Sequence, residues 1–404
     1  MRILMILPHP PHLLNSGGRV RSYNLIKALS VAGNNLELDI ICYLKNSELQ
    51  SDLPHTNVPC RSLMTISRRE GPTRTEIFQM TWANVHCLYS QIHTSQQMRS
   101  TIAECLSRSY YDLIHVVAFY MTRNIPLNVN PPIMLEELSI EYIGFQRQIP
   151  YLQDSPLKIS YYLDYLKQRK EEINAWRRVQ VCTTVSRHDA RYINEYSPLT
   201  QVHLVPNGID TDVFRSINDE SLEPTILFVG NYRYYPNADA ASVLAQRIFP
   251  IVKRHIAIAK LILAGADPTE NVKVLSGIIG VEVPGYVSNY QSLLGSAWVF
   301  AAPIRSGGGT RIKILEAFSM CKAVVTTSIG CEGIEANHLH DVIIEDDFER
   351  FALWIVELLQ NKSRRHLIGE NARKVVIRKY RWSHSAYQLL TSYQNAIEIA
   401  EHSK

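Results

Sequence analysis

A glycine-rich loop lies between two apolar runs of this chain and reads Ser306-Gly307-Gly308-Gly309-Thr310-Arg311-Ile312-Lys313-Ile314-Leu315-Glu316. The apolar run before it, at 297–303, predicts a fully buried strand, and the apolar residues within and after it predict a helix from about residue 311. Glycines accept positive φ and let the backbone approach a ligand closely. The sequence therefore predicts a strand, a ligand-binding loop and a helix in succession.

The start of this helix carries an excess of positive charge. Thr310 is the predicted N-cap, and the backbone N–H groups that follow it lack helical acceptors. Arg311 and Lys313 add two cations at the end of the helix where the macrodipole is already positive. A bound anion relieves this crowding, and phosphate suits the geometry of a helix start. The alternative is a glycine-rich turn with two solvated basic side chains.

Composition narrows the class of protein. The chain has 404 residues, which favours two domains, and its 46% hydrophobic and 20% charged residues are ordinary for a globular protein. A net charge of +4 is too small to predict a nucleic-acid partner. The seven cysteines include no Cys-x-x-Cys pair, which predicts no zinc site and a reducing, cytoplasmic location. No apolar run reaches the roughly 18 residues that span a membrane, and peripheral membrane contact stays open.

The N-terminal half begins with a βαβ pattern. Residues 2–7 predict a buried strand, 20–32 a helix and 36–44 a second strand, with Gly17-Gly18 at the first crossover. Ligands of open α/β sheets bind beyond the carboxyl ends of the strands, so Gly17 and Gly18 are predicted to contact a ligand. A plain tight turn is the alternative for this glycine pair.

Strand and helix alternate along both halves of the chain, which predicts an α/β protein with parallel sheets. A polar segment at 215–224 that closes with a proline is the predicted linker. The predicted domains are therefore 1–214 and 225–380, and a last helix is predicted over 383–401.

Four sets of residues carry a resemblance to a known family: Gly17-Gly18-Arg19, Val205-Pro206-Asn207-Gly208-Ile209-Asp210, Leu263-Ala264-Gly265 with Val283-Pro284-Gly285-Tyr286-Val287, and Gly307–Phe318. With them the chain resembles the GT-B glycosyltransferases of the large retaining, nucleotide-sugar-dependent family (glycosyl transferases group 1, family 4-like). The resemblance covers nearly the whole chain, and the glycine-rich loop is its most specific part.

The resemblance implies two Rossmann-like domains with parallel sheets facing across a cleft. It places a nucleotide-diphosphate sugar on the C-terminal domain and the acceptor mainly on the N-terminal domain, to which the 383–401 helix crosses back. It implies hexosyl transfer with retention, without metal or other cofactor, in polysaccharide or glycoconjugate biosynthesis. UDP-sugars are preferred to GDP-sugars as the predicted donor, and the acceptor is a carbohydrate, lipid-linked or small-molecule hydroxyl.

The resemblance also implies roles for individual residues. Arg311 and Lys313 neutralise the leaving diphosphate in place of a metal ion, and Glu316 holds the ribose hydroxyls. An i,i+3 pair with Lys313 is the alternative for this glutamate, and an ordinary turn is the alternative for Tyr286 and Val287. The predicted donor-binding residues are Gly17, Gly18, Gly230, Asn231, Tyr286, Val287, Gly308, Gly309 and Thr310.

Three departures from the family pattern leave the catalytic base open. Gly308 stands where the family often has the first glutamate of a pair, so the donor sugar is recognised differently. The segment Gly230–Asn237 lacks, in register, the Arg and Lys that many members use for the diphosphate, although Arg233 is near. No histidine follows the strand at 133–135, where Glu136, Glu137 and Glu141 are the candidate replacements.

One motif argues superficially for a metal. Asp210-Thr211-Asp212 has the Asp-x-Asp form that metal-dependent transferases use, but it lies in a Pro-Asn-Gly turn. Aspartates in turns commonly cap backbone groups, and no metal site is predicted.

Two other classes of function fit the same residues, because a fold does not fix its chemistry. A nucleotide-sugar epimerase or hydrolase would convert the donor without any acceptor. A non-catalytic nucleotide-sugar-binding subunit, suggested by the missing histidine and first glutamate, would bind the donor tightly without turnover.

Overall fold

The structure, a computed structural model, describes residues 1–13, 16–33, 35–48, 58–152, 156–216 and 220–402, and the side chains of all of these except 156 and 157. The chain divides into two compact units. The N-terminal unit comprises Met1–Pro206 with the segment that begins at Ser383, and the C-terminal unit comprises Asn207–Trp382.

The N-terminal unit is built on a parallel sheet with the strand order β3-β2-β1-β4-β5-β6-β7. Within the described ranges its strands are β1 (Arg2–Leu7), β2 (Glu37–Lys45), β3 (Ser62–Arg68), β4 (Leu113–Val117), β5 (Ile133–Glu137), β6 (Val181–Thr184) and β7 (Gln201–Leu204). The central strands are apolar and buried almost throughout, as expected for a parallel sheet that helices cover on both faces.

Helices follow the strands of this unit as the alternating pattern predicts. In the part of the unit that precedes Pro206 they are α1 (Gly17–Ala32), α2 (Arg74–Ala83), α3 (Leu88–Ile92), α4 (Gln96–Arg108), α5 (Glu141–Gln148), α6 (Pro156–Trp176) and α7 (Arg187–Tyr196), among the residues described. Short 3-10 turns lie at Asn46–Glu48 and Phe119–Asn124. The helix predicted from residue 20 begins at Gly17, so the glycine pair forms its first turn and the extended Ser16 is its N-cap.

The C-terminal unit has a second parallel sheet, ordered β10-β9-β8-β11-β12-β13. Its described elements are β8 (Thr225–Val229), α8 (Tyr235–Val243), α9 (Phe249–His255), β9 (Lys260–Ala264), α10 (Glu270–Lys273), β10 (Val281–Gly285), α11 (Tyr290–Ser296), β11 (Val299–Ala302), α12 (Ile312–Ser319), β12 (Ala323–Thr326), α13 (Ser328–Cys331), β13 (Ile343–Ile344), α14 (Phe348–Gln360) and α15 (Lys362–Lys379). A π-helical turn, Leu244–Ile248, joins α8 to α9.

The strand order defines where each sheet offers a ligand site. In each sheet the chain first adds strands on one side of the first strand and then adds the later strands on its other side. The direction of strand order therefore reverses between β1 and β4 and between β8 and β11. Open α/β sheets bind ligands beyond the carboxyl ends of the strands at such a reversal. The glycine-rich loop follows β11 and therefore lies at this point of the C-terminal sheet. The predicted class, two Rossmann-like α/β units with parallel sheets, is confirmed.

The two units divide after Pro206, so 207–214 lies with the C-terminal unit rather than with the domain predicted at 1–214. The N–H of Ile209 donates to the carbonyl of Tyr380 at 2.7 Å, and Ile209 forms a parallel bridge with Arg381. A Cβ on Gly208 would lie only 2.5 Å from the Trp382 ring. These contacts join residues that are far apart in the sequence, so composition alone could not predict this boundary and indicated only the polar segment further along the chain. Residues 217–219 of that predicted linker lie outside the described residues.

The last helix, α16 (Trp382–His402), starts at the boundary and lies with the N-terminal unit from Ser383 onward. Tyr393 is fully buried there, and its hydroxyl lies 2.8 Å from His115 Nδ1 on β4. Ser392 Oγ lies 2.9 Å from His203 Nδ1 on β7. Among the described residues, none of the helices combines the length and apolar character needed to cross a bilayer.

Candidate functional site

The glycine-rich loop has the backbone that its sequence demands. Gly307 and Gly309 take φ values of 91° and 69°, which side chains rarely adopt. A Cβ on Gly307 would also lie 2.7 Å from the Tyr234 hydroxyl. The loop is thus a tight turn at the carboxyl end of β11 that brings its backbone close to the loop after β8.

The helix after this loop starts one residue later than predicted. Arg311, not Thr310, is the N-cap of α12, and its side chain makes no capping bond. Among the described residues, the backbone N–H groups of Gly308, Gly309 and Thr310 have no acceptor. The hydroxyls of Ser306 and Thr310 are buried there, also without a partner. A turn with several unpaired donors at a helix start is suited to an anion.

The side chain of Arg311 stabilises the glycine-rich loop through hydrogen bonds to its backbone. Its guanidinium Nη1 donates to the carbonyl oxygens of Gly308 and Gly309. The carbonyls are thereby held toward Arg311, which turns the N–H groups of the same peptides away from it. The sequence predicted this arginine as a counter-charge for phosphate; the structure adds a role in fixing the loop.

Lys313 lies in the first turn of α12, half-buried beneath the loop after β8. Its Nζ donates to Asn237 Oδ1 at 2.6 Å and lies 4.7 Å from the centroid of the Phe228 ring. Burial, together with the charge of Arg311, lowers the pKa of Lys313 to about 7. The ammonium group is therefore poorly compensated and stabilises any anion brought to it.

Glu316 lies one turn further along α12. Its Oε2 accepts a hydrogen bond of 3.1 Å from the hydroxyl of Tyr290 on α11. Burial raises the pKa of Glu316 to about 7. Lys313, the alternative i,i+3 partner of this glutamate, donates its hydrogen bond to Asn237 instead, although its charge still acts on the carboxylate. The carboxylate keeps acceptor capacity for a ligand.

The loop after β8 carries Gly230 and Asn231, both predicted to bind the donor. The N–H of Gly230 donates to Ala264 O at 3.1 Å, and Asn231 Nδ2 donates to Asp267 Oδ2 at 3.3 Å. A Cβ on Gly230 would lie 2.7 Å from Asn237 Cγ, so this glycine lets Asn237 approach. Asn237 in turn donates to the carbonyl of Asn231 and accepts from Lys313, which joins the two loops.

Tyr286 and Val287 follow β10, the edge strand of the same sheet. Tyr286 is 77% exposed, and Gly285 before it has a φ of 75°. The side chain that reaches the α12 residues from this segment is Tyr290, whose ring also packs edge-on against Phe214 at 6.0 Å. Tyr286 is thus open to a ligand, while Tyr290 positions Glu316.

Gly17 and Gly18 lie in the N-terminal unit, in the first turn of α1. A Cβ on Gly18 would lie 3.1 Å from Leu138 and 3.4 Å from His9 Nε2. The glycine therefore permits close packing between the helix start and the loops after β1 and β5. The other predicted site residues all lie in the C-terminal unit.

The glutamates that follow β5 have different surroundings. Glu136 is buried, accepting from Arg21 Nε at 2.5 Å and lying 2.8 Å from His115 Nε2. Burial alone would raise the pKa of Glu136, but Arg21 and His115 lower it to about 2. Glu137 is also buried and accepts from Trp176 Nε1 at 2.8 Å. Glu141 accepts from Ser139 and is only partly buried, so it is the most accessible of the three.

The Asp-x-Asp segment caps a turn, as interpreted from the sequence. Asp210 Oδ1 accepts from the backbone N–H groups of Asp212 and Val213 at 3.1 and 3.0 Å. The side chain of Asp212 is exposed. Within the described residues, no group of three or more His, Cys, Asp or Glu side chains is arranged to hold a metal ion.

Several contacts in this site were not predicted from the sequence. Asn237, Tyr290 and Asn207 each touch a predicted residue, the last donating to Thr310 O at 3.3 Å. Asn207 belongs to the Pro-Asn-Gly motif, so its link to the glycine loop was available as a pairing of two motif segments. No local sequence pattern marks Asn237 or Tyr290 as a site residue, because each contacts α12 from the start of another helix, and these helix starts come together only in the folded unit.

Comparison with known proteins finds a family match in the C-terminal unit. Residues 223–361 match the family model described as glycosyl transferases group 1. A Klebsiella pneumoniae protein, described as an uncharacterized 44.6 kDa protein in cps region, is 27% identical over 163 residues. That alignment covers 38% of this chain and 42% of the relative, so less than half of the relative's length is matched.

Solved structures share the fold over nearly the whole chain. Sucrose-phosphate synthase from Thermosynechococcus elongatus has a TM-score of 0.71 at 17% identity, with 98% of this chain and 99% of that chain covered. Anabaena HepE, in complex with UDP and glucose, has a TM-score of 0.63 at 12% identity, covering 97% and 99%. An S. aureus TarM mutant, in complex with Fondaparinux, alpha-GlcNAc-glycerol and UDP, has a TM-score of 0.66 at 12% identity, covering 97% and 100%. The fold is GT-B, and the group 1 match lies within it at residues 223–361.

Proposed function

We propose that this protein transfers a hexosyl group from a nucleotide-diphosphate sugar, preferably a UDP-sugar, to a hydroxyl acceptor with retention of configuration and without a metal ion. One observation carries the proposal: unpaired backbone donors of the glycine loop lie at the sheet reversal, and a half-buried lysine and a half-buried glutamate follow them on α12. These three groups match three requirements of the donor: hydrogen bonds to the diphosphate, a counter-charge for it, and an acceptor for the ribose hydroxyls.

The diphosphate is assigned to the glycine loop. The N–H groups of Gly308, Gly309 and Thr310 and the hydroxyl of Thr310 supply donors without any rearrangement of backbone pairing. Preorganised donors of this kind stabilise the charge that develops on the leaving group. The complexes of HepE with UDP-glucose and of TarM with UDP support the choice of a uridine nucleotide.

Lys313 is assigned the role of counter-charge. Because it is half-buried and, among the described residues, hydrogen-bonded only to the neutral Asn237 oxygen, its ammonium can approach the diphosphate without leaving a carboxylate partner. A cation in a water-poor site stabilises a departing phosphate far more than one in solvent. Lys313 and the loop donors thus supply the positive field that other transferases obtain from a bound metal.

Glu316 is assigned to the ribose, with Tyr290 holding one oxygen of the carboxylate. The other oxygen remains able to accept hydroxyl protons, and a carboxylate accepts from two vicinal hydroxyls at once. Tyr286 and Val287 are assigned to the base, since they flank this position at the carboxyl end of β10.

Transfer proceeds on one face of the sugar. The bond from the anomeric carbon to the phosphate oxygen breaks while the acceptor oxygen bonds to the same face of that carbon. The acceptor proton passes to the departing phosphate oxygen, so UDP leaves with the proton and no protein carboxylate acts as nucleophile. This route agrees with the neutralising role of Lys313, because a stabilised diphosphate departs before the new bond is complete.

Donor turnover in EDTA tests this function. We expect transfer or slow hydrolysis of UDP-sugar to proceed at an undiminished rate in EDTA, and product NMR to show the donor's anomeric configuration. Strict dependence on added metal or an inverted product would contradict the proposal. Full-rate conversion without acceptor would indicate the epimerase or hydrolase, and tight donor binding without turnover in any acceptor screen would indicate a binding subunit.

UDP affinity is predicted to be greatest near pH 7. With a pKa of about 7, Lys313 loses its proton as the pH rises, and the diphosphate loses its counter-charge. With a pKa of about 7, Glu316 gains a proton as the pH falls, and the ribose loses its acceptor. Since the bound diphosphate raises the lysine pKa, affinity should fall by up to about tenfold per pH unit on the alkaline side.

Calorimetric titration of UDP across this pH range measures the profile. Lys313→Arg keeps its charge and should lose the alkaline limb, and Glu316→Gln cannot titrate and should lose the acidic limb. An alkaline limb that survives in Lys313→Arg would show that another group controls binding.

A further inference from the structure

We infer that Tyr290 is a specificity-determining residue that binds one ribose hydroxyl of the donor while Glu316 binds the other. The protein then accepts ribonucleoside-diphosphate sugars and rejects donors that lack either hydroxyl, such as deoxythymidine diphosphate sugars. The inference rests on the proposed function, since it names the class of nucleotide that the same site takes. Both residues belong to the C-terminal unit.

The two carboxylate oxygens of Glu316 have different surroundings. Oε2 accepts the hydrogen bond of 3.1 Å from the Tyr290 hydroxyl. Among the described residues, Oε1 has no hydrogen-bond donor, and the side chain of Glu316 is only partly buried. An incoming ribose therefore finds one carboxylate oxygen that is free of any protein donor, not two.

The ribose offers two neighbouring hydroxyl protons, so a second acceptor is needed beside Oε1. A tyrosine hydroxyl has one proton and an oxygen that also accepts. The proton of Tyr290 is engaged by Glu316 Oε2, which leaves its oxygen to act as an acceptor toward a ligand. Burial, with the charge and hydrogen bond of Glu316, raises the pKa of Tyr290 well above its usual value, so the hydroxyl keeps its proton.

The ring of Tyr290 is held in place by the protein. Tyr290 is the first residue of α11, and the N-cap of this helix is formed by Asn289, whose Oδ1 accepts from the Ser292 N–H at 3.0 Å. The ring packs edge-on against Phe214, with centroids 6.0 Å apart. A side chain that is already ordered loses little entropy when a ligand binds, so the hydroxyl is preorganised.

Phe214 links this tyrosine to the helix that carries Glu316. The carbonyl of Phe214 accepts from Ser319 Oγ at 2.6 Å, and Ser319 is the last residue of α12. The N–H of Phe214 donates to the carbonyl of Asp210 at 2.9 Å. The Asp-x-Asp turn, which has the form of a metal site, thus supports Phe214 and through it the position of Tyr290.

This arrangement selects for the nucleotide class. A nucleotide without one of the hydroxyls leaves an acceptor of the pair unsatisfied in a half-buried place, which costs free energy. A site built to bind a substrate hydroxyl rejects the analogue that lacks it more strongly than a site that only fits its shape. Deoxythymidine diphosphate sugars carry the same diphosphate as UDP-sugars but lack the 2′-hydroxyl, so we expect them to be poor donors.

Calorimetric titration of UDP, 2′-deoxy-UDP and 3′-deoxy-UDP into the full chain tests the inference, at a pH where Glu316 is ionised. We expect each deoxy analogue to bind about ten- to hundredfold more weakly than UDP. In Tyr290→Phe, which keeps the ring against Phe214, one analogue should bind as tightly as UDP, because its missing hydroxyl has lost its partner. The other analogue should keep its penalty. The control Tyr110→Phe, an exposed tyrosine after α4, should keep both penalties.

Three results would overturn the inference and leave the proposed function standing. Equal affinity of the unaltered protein for UDP and both analogues would show that neither hydroxyl is bound, and this comparison needs no variant. Equal weakening of all three nucleotides in Tyr290→Phe would show that Tyr290 only positions Glu316. Penalties unchanged in that variant would show that the carboxylate binds both hydroxyls alone. Failure of UDP itself to bind the unaltered protein would instead remove the proposed function.

Discussion

Lys313→Ala is expected to lower donor turnover by about 10²- to 10³-fold, the effect of removing one preorganised group that stabilises a developing negative charge. Lys313 lies in the first turn of α12, directly after the unpaired loop donors, and its Nζ donates to the neutral Asn237 Oδ1, whereas Arg305 is paired with Asp239 at 2.5 Å and Arg311 is bonded to loop carbonyls. Its loss leaves the diphosphate with the neutral loop donors and with the Arg311 guanidinium, which is already bonded to loop carbonyls. Steady-state kinetics with a UDP-sugar measure the change.

The same variant should lose less in UDP affinity than in turnover, because charge on the leaving group increases in the transition state. Lys273→Ala is the matched control: Lys273 is exposed on α10 of the same unit and pairs with Glu270 at 2.7 Å. Turnover in Lys313→Ala within about twofold of the parent would show that Lys313 does not face the leaving group.

Gly265→Ala is expected to destabilise the C-terminal unit by at least about 3 kcal/mol, from steric overlap and backbone strain together. Gly265 has a φ of 142°, and a Cβ there would lie 1.8 Å from the carbonyl oxygen of Gly230. Its N–H also donates to Gly285 O at 2.8 Å. The added methyl must therefore push apart the loops after β8 and β9, and it would displace Asn231 and Asn237 with them.

Urea unfolding, followed by a probe of the C-terminal unit, measures this change in the free energy of unfolding. Gly277→Ala is the control, since nothing lies within 4 Å of a Cβ at that position. It should change the free energy by less than about 0.5 kcal/mol. Equal stability of the two variants would mean that the loops after β8 and β9 are not packed as described.

Local sequence signals predicted the parts of this fold that depend on neighbours along the chain. The strand at 2–7 and the glycine loop after β11 were both predictable, because apolar runs and positive-φ glycines report directly on backbone geometry. The start of α1 at Gly17 was not predicted, because two successive glycines are typical of a turn. The structure gives no counter-signal there either, since the N-cap makes no side-chain bond. The start of α12 was misplaced by one residue for a related reason: Thr310 is a good capping residue by type, but Arg311 holds that position.

For the candidate site, the sequence could not predict side-chain contacts between residues that are far apart along the chain. The family resemblance implied the roles of Lys313 and Glu316, yet their partners Asn237 and Tyr290 lie on other helices of the same unit. Glu136 was one of three candidate replacements for the missing histidine, and its ion pair with Arg21 depends on contact between β5 and α1. Nothing in the sequence near residue 136 distinguishes a buried ion pair from a group that faces a substrate.

A crystal structure of the protein with UDP bound tests the central assignment most directly. We predict that the phosphates lie within hydrogen-bond distance of the Gly308, Gly309 and Thr310 N–H groups and of Lys313 Nζ, with Glu316 on the ribose hydroxyls. UDP bound at another place, with the glycine loop filled by an acidic side chain of the protein itself, would contradict it.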